Sequence, residues 1–236
     1  MSGDTPPTSP GAGAGASALP STEAIFDAVG PAYEAAFAGL PSLADAISWI
    51  LPRLPPNAKA LDIGCGTGRP VCSSLAEAGH SVLGIDISSA MLTAARERVP
   101  LATFEKVDIR DFVPPPDGVQ GYDVVTAFFS LIAGVSQEDI RHIIKKMYGY
   151  LKPGGIFVWS TVPLPAENLS IAWMGRPVVV SSLAPEASVA AVREAGFEVE
   201  KEELSTFRHR GDEVGICKSE DVWEEQHLFV YARKPE

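Results

Sequence analysis

One stretch constrains this chain more than any other: Ala60-Leu61-Asp62-Ile63-Gly64-Cys65-Gly66-Thr67-Gly68. A short apolar run ends in three glycines at alternate positions, with a carboxylate two residues before the first. Glycine lets the backbone turn sharply and approach a ligand where a Cβ would clash. A buried strand that ends in such a turn and opens a helix is a nucleotide-binding device of α/β sheets. The pattern departs from the dinucleotide fingerprint G-x-G-x-x-G. After Gly64 and Gly66, the position that should carry its last glycine is Arg69. The acid ahead of the loop suits a ligand that carries an ammonium and repels a pyrophosphate.

Around this stretch the chain alternates strands and helices. Strands are expected at 59–63, 81–85, 103–106, 122–128, 156–160, 197–206 and 226–233. Helices are expected at 70–78, 88–99, 136–150 and 184–195, the third opened by a Ser136-x-x-Asp139 capping box. Apolar residues at helical spacing between Ser21 and Leu51, cut by Pro31 and Pro41, predict about three N-terminal helical pieces within 23–52. The pattern reads as an α/β doubly wound, Rossmann-like sheet of seven mostly parallel strands in a three-layer α/β/α sandwich. The last two strands lack a helical connection, so an antiparallel last strand closes the edge as a hairpin. Residues 1–22, rich in Ser, Thr, Pro, Gly and Ala, bury too little to offset ordering and are expected to be a disordered tail. Residues 23–236 then form one domain, interrupted by an insertion at 161–183.

The net charge of −11, with no cluster of Lys and Arg, excludes a broad grip on nucleic-acid phosphates. Three cysteines without metal-ligand spacing predict no metal and no disulfide framework. The first basic side chain is Arg53 and no apolar run approaches a membrane span. The expectation is a cytoplasmic protein, a monomer or weak homodimer, without a nucleic-acid or membrane partner.

Ligands of such sheets bind at the carboxyl ends of the strands. Three further features fall there. Asp86 ends the second strand, placed for the two ribose hydroxyls of an adenosine. Asp108 follows the third, placed for an adenine amino group. Ala127-Phe128-Phe129 ends the fourth, beside the reactive end of the ligand. Each acid alone also fits a helix cap or turn; all in register with the glycine loop point to S-adenosylmethionine.

The segment from Leu61 to Gly155 resembles the class I S-adenosylmethionine-dependent methyltransferases. The likeness rests on Ala60–Gly68, on Gly84-Ile85-Asp86-Ile87-Ser88 with Met91-Leu92, and on the turn Leu151-Lys152-Pro153-Gly154-Gly155. The whole is most similar to the small-molecule, ubiquinone-biosynthesis-like branch. That resemblance implies that Asp62 and the loop residues Gly64, Cys65, Gly66 and Gly68 hold the methionine moiety. It also implies that Asp86 and Ile87 hold the ribose, that Asp108 and Ile109 hold the adenine with Met91 flanking it, and that Phe128 lies beside them. Tyr33 is a candidate to close over the methionine carboxylate and Arg69 a candidate to pair with it, against core packing and a solvated loop. S-adenosyl-L-homocysteine would be the product.

Methyl transfer needs alignment and water exclusion more than acid–base chemistry. No general base stands out: His209 reads best as a surface-loop residue, and His142 and His227 as structural. Tyr33 and His209 are the catalytic candidates. Acceptor recognition falls to Phe129, to Trp173 in the insertion as an aromatic lid, and to Trp223, whose ring with Glu224 and Glu225 also suits a cationic amine. The expected function is methyl transfer to oxygen or nitrogen, with sulfur possible, of a small-molecule acceptor. The alternatives are a cofactor-binding module that serves a partner or a non-methyl reaction, and a dinucleotide oxidoreductase disfavoured by Asp62 and Arg69.

Overall fold

The computed structural model describes residues 19–114 and 121–236; residues 1–18 of the expected tail lie outside them. Helix begins earlier than the expected boundary, because the Ser21 hydroxyl accepts from the Ala24 N–H at 3.2 Å and caps α1 (Thr22–Val29). Next come α2 (Ala32–Ala36) and α3 (Pro41–Ile50). Alternation then runs β1 (Lys59–Ile63), α4 (Val71–Glu77), β2 (Ser81–Asp86), α5 (Ser89–Arg98) and β3 (Thr103–Lys106). It continues with β4 (Tyr122–Phe128), α6 (Gln137–Tyr150), β5 (Leu151–Thr161), β6 (Ala166–Trp173) and β7 (Arg176–Ser182). The chain ends with α7 (Pro185–Glu194), β8 (Glu198–Arg208) and β9 (Glu224–Arg233).

Seven strands form one sheet in the order β3-β2-β1-β4-β5-β9-β8. All neighbours are parallel except β9, which runs antiparallel to both β5 and β8. Strand period 2 sends successive side chains to opposite faces. Val124, Val158 and Phe229 pack against Ile47, Leu75 and Leu92 of α3, α4 and α5. Val125, Phe157 and Val230 pack against Ile140, Ile143 and Val192 of α6 and α7. The three-layer expectation therefore stands, and the reciprocal capping box of Ser136 and Asp139 opens α6.

The insertion at 161–183 holds structure that the sequence reading did not assign. β6 and β7 form a separate two-stranded antiparallel hairpin. Its turn is Met174-Gly175, with φ of 48° and 70°. Both central residues are left-handed, as a two-residue hairpin turn compatible with strand twist requires. The hairpin is tied to the loop after β4 by the Gly134 N–H on the Val179 carbonyl and the Ser181 N–H on the Ile132 carbonyl. Ile171, Val178 and Val180 pack with Ile25 of α1 in a small satellite core, so hairpin and N-terminal helices cover the same end of the sheet.

Candidate functional site

That end is the carboxyl edge of the parallel strands, where a cavity of about 240 Å³ meets a recess of about 620 Å³. Tyr33, Phe37, Gly64, Gly66, Phe128 and Phe129 border both. Joined, they reach the several hundred Å³ typical of a small-molecule site.

The glycines of the first loop serve different ends. A Cβ on Gly64 would lie 2.2 Å from the Cβ of Ser130, so the loop closes there against the chain after β4. A Cβ on Gly68 would crowd Phe104 and Val99 at 3.0 and 3.1 Å; Gly68 faces the protein and borders neither cavity nor recess. At Gly66 a Cβ would meet nothing within 4 Å, and the backbone has φ of 54°. This is a cradle open to a ligand, and the buried Ser130 hydroxyl in the cavity wall has no hydrogen-bond partner among the described residues.

Asp62 is buried on the recess side. One carboxylate oxygen accepts from the Thr126 hydroxyl at 2.7 Å and the other from the Cys72 thiol at 3.3 Å. Burial pushes its carboxyl up to about 6, the two hydrogen bonds acting in the opposite direction. Cys65 borders the recess with its sulfur turned toward Gly84. Arg69 is exposed at the rim and donates to the Arg98 carbonyl at 3.3 Å.

Asp86 ends β2 in the cavity wall, accepting the Gly66 N–H at 2.9 Å on one oxygen and the Ser88 N–H at 2.8 Å on the other. Each oxygen keeps lone-pair capacity for a further donor. Ile87, Met91, Ile109 and Phe128 supply apolar wall. Asp108 also lines the cavity, held in a fork by Arg110 Nε at 3.0 Å and Nη2 at 2.6 Å. Those bonds hold its carboxyl below the usual range.

The N-terminal helices are latched over this frame by carboxylates that sequence reasoning passed over. Asp27 of α1 accepts the Ser88 hydroxyl at 2.6 Å and the Ala90 N–H at 3.0 Å, reinforcing the N-terminus of α5. Glu34 of α2 accepts the Thr67 hydroxyl at 2.7 Å and pairs with Arg98. Tyr33 thereby sits half-buried between loop and hairpin, its ring 4.6 Å from Phe37 and 6.2 Å from both Phe26 and Trp173. Burial, with Glu225 and Asp86 nearby, raises its phenol. Trp173 and Trp223 both face the cavity.

One histidine reading changes. His209 is fully buried, not a surface-loop residue, because the chain after β8 folds back and the Arg210 N–H bonds the Ala36 carbonyl at 2.8 Å. Its Nδ1 accepts the Gly211 N–H at 3.2 Å, which assigns the proton to an Nε2 without a partner among the described residues, and burial lowers its basicity. His227 is also buried and lies 3.4 Å from the Glu225 carboxylate, which borders the cavity. Thr161 at the end of β5 pairs with Leu228, so residues 224–227 run past the end of β5, paired among the described strands with β8, and Glu225 borders the cavity. The period-2 pattern Glu225-x-His227-x-Phe229-x-Tyr231 is the signal that places carboxylate and imidazole on one apolar face.

Residues 60–155 match the family model described as a methyltransferase domain. The chain is 32% identical over 127 residues to dTDP-3-amino-3,4,6-trideoxy-alpha-D-glucopyranose N,N-dimethyltransferase of Streptomyces venezuelae, covering 54% of this chain and 52% of that one. It is 32% identical over 174 residues to 27-O-demethylrifamycin SV methyltransferase of Amycolatopsis mediterranei, covering 68% and 61%. The chain spans about half the length of the first curated relatives it matches. Among solved structures, the cyclase SpnF superposes with a TM-score of 0.67 at 20% identity, covering 92% of this chain and 98% of that one, a likeness of fold. Over residues 60–155, which carry the glycine loop, Asp86 and Asp108, the chain is similar to methyltransferases.

Proposed function

We propose that this protein transfers a methyl group from S-adenosylmethionine to oxygen or nitrogen of a small-molecule acceptor. One observation carries the reading: the open Gly66 cradle, Asp86 and Asp108 line a single strand-end site that runs on into an aromatic chamber. The donor's methionine end takes the recess beside Asp62, with Arg69 at the rim and Tyr33 above. Its ribose hydroxyls meet Asp86, and its adenine lies between Met91 and Ile109 near Asp108. Bound there, the donor supplies an electrophilic methyl carbon; the chain holds it, excludes water and aligns an acceptor.

The names of the two relatives, one an N,N-dimethyltransferase and one a methyltransferase of an O-demethyl compound, support nitrogen and oxygen as target atoms. SpnF, named as a cyclase, favours the second reading, a non-methyl reaction in the same frame. We further place the protein in the cytoplasm, as a monomer or weak homodimer, and without a nucleic-acid partner, the last of these supported by its net charge of −11. The test is a labelled-methyl transfer screen against metabolite extracts. Transfer to a small molecule supports the proposal; cofactor binding with no transfer to any fraction favours the second reading.

A further inference from the structure

The cavity is bordered by a carboxylate that the donor's placement leaves unused. Glu225 is 8% exposed and borders the cavity. Its one hydrogen-bonding neighbour is the buried His227 ring at 3.4 Å, and among the described residues no lysine or arginine lies within ion-pair distance of it. A buried carboxylate without a cation is costly and is normally paired. Arg110, the cation in the cavity wall, is already forked onto Asp108.

The surroundings of Glu225 are aromatic. The His227 ring lies tilted, 4.5 Å from Phe129, and the cavity-lining Trp223 and Phe37 lie 6.2 and 5.5 Å from the His209 ring. Tyr33 and Trp173, their rings 6.2 Å apart, also line the cavity. The cavity thus offers ring faces and a buried negative charge. An ammonium gains from both, through cation–π attraction and a charge-assisted hydrogen bond. A carboxylate or phosphate ester placed beside Glu225 would be repelled by its carboxylate.

We propose that this chamber is an ammonium-binding box, with Glu225 as the counter-charge, and that the acceptor class is an amine bound as its cation. The inference deepens the methyltransferase reading and rests on it. One proton of the bound ammonium passes to the Glu225 carboxylate, and the freed nitrogen lone pair forms the new C–N bond. The C–S bond of the donor breaks with its electron pair left on sulfur. The product is a methylated ammonium, and the Glu225 proton leaves to water.

Direct binding to the full chain, followed by calorimetry, tests this with phenethylamine and the neutral 2-phenylethanol, each titrated with and without S-adenosylhomocysteine. Phenethylamine is expected to bind at least tenfold more tightly than the alcohol. E225Q should remove that preference, E225D should retain part of it, and both should bind S-adenosylhomocysteine within threefold of the parent chain. Equal binding of amine and alcohol overturns the box, as does a preference that survives in E225Q or failure of both probes to bind. Loss of S-adenosylhomocysteine affinity in E225Q reassigns Glu225 to the donor and also overturns it. If the parent chain does not bind S-adenosylhomocysteine at all, the methyltransferase reading falls, while the comparison in the free chain still decides the box.

Discussion

Replacing Asp62 with asparagine should make the free protein more stable at neutral pH and its cofactor site weaker. The carboxyl is pushed from its ordinary 3.8 up to about 6 by burial. Because the folded value lies above the unfolded one, the group's contribution to stability is full below about pH 4 and is lost as pH rises through about 6. The interval from 3.8 to 6, at about 1.36 kcal/mol per pH unit, corresponds to a cost of about 3 kcal/mol in the ionised state. Asparagine keeps an acceptor for the Thr126 hydroxyl, now at 2.7 Å from Asp62, and carries no charge to desolvate. D62N should therefore raise the melting temperature at pH 7.5 by roughly 6–12 °C and leave it nearly unchanged at pH 4. A cofactor ammonium facing the ionised carboxylate has the opposite dependence. Calorimetric affinity for S-adenosylhomocysteine should fall about tenfold between pH 7.5 and 5 in the parent chain and stay flat across that range in D62N. A parent affinity independent of pH, or a D62N melting point unchanged at pH 7.5, would refute the reasoning.

Other perturbations separate the loop's structural and binding parts. Gly64→Ala should fail to fold or unfold at much lower urea, since its Cβ would sit 2.2 Å from Ser130. Gly66→Ala should cost only about 1–2 kcal/mol of backbone strain and remain folded by circular dichroism, yet lose S-adenosylhomocysteine binding because the methyl fills the cradle. Asp86→Ala should weaken that binding by about 1.5–3 kcal/mol in a calorimetric titration. Glu34→Ala strands the buried Thr67 hydroxyl; a loss of about 1–2 kcal/mol in urea unfolding, with faster cofactor release by stopped flow, is expected.

The sheet was legible because its strands are apolar runs that end in turn residues, and because Asp62, Asp86 and Asp108 recur at those ends. The β8–β9 pairing was legible from the missing crossover helix. The hairpin of β6 and β7 was not assigned, although Val178, Val179 and Val180 are β-branched, because its turn Met174-Gly175 requires φ > 0 at a methionine. Sequence gives no sign of such a turn when the first residue is not Asn, Asp or Gly. The burial of His209 is not legible because it depends on contact with α2, more than 170 positions away, as the Arg210 N–H bond to the Ala36 carbonyl illustrates. Glu34 and Asp27 were passed over because isolated helix acids carry no local signal of the partner they meet.

The central claim is that the strand-end site takes a sulfonium donor of the S-adenosylmethionine type. Isothermal titration of S-adenosylmethionine, S-adenosylhomocysteine and NAD into the full chain addresses it most directly. The account predicts one site per chain for the first two, lost in Gly66→Ala, and no heat with NAD. Binding of NAD without either adenosyl compound, or no binding of any of the three, would contradict it.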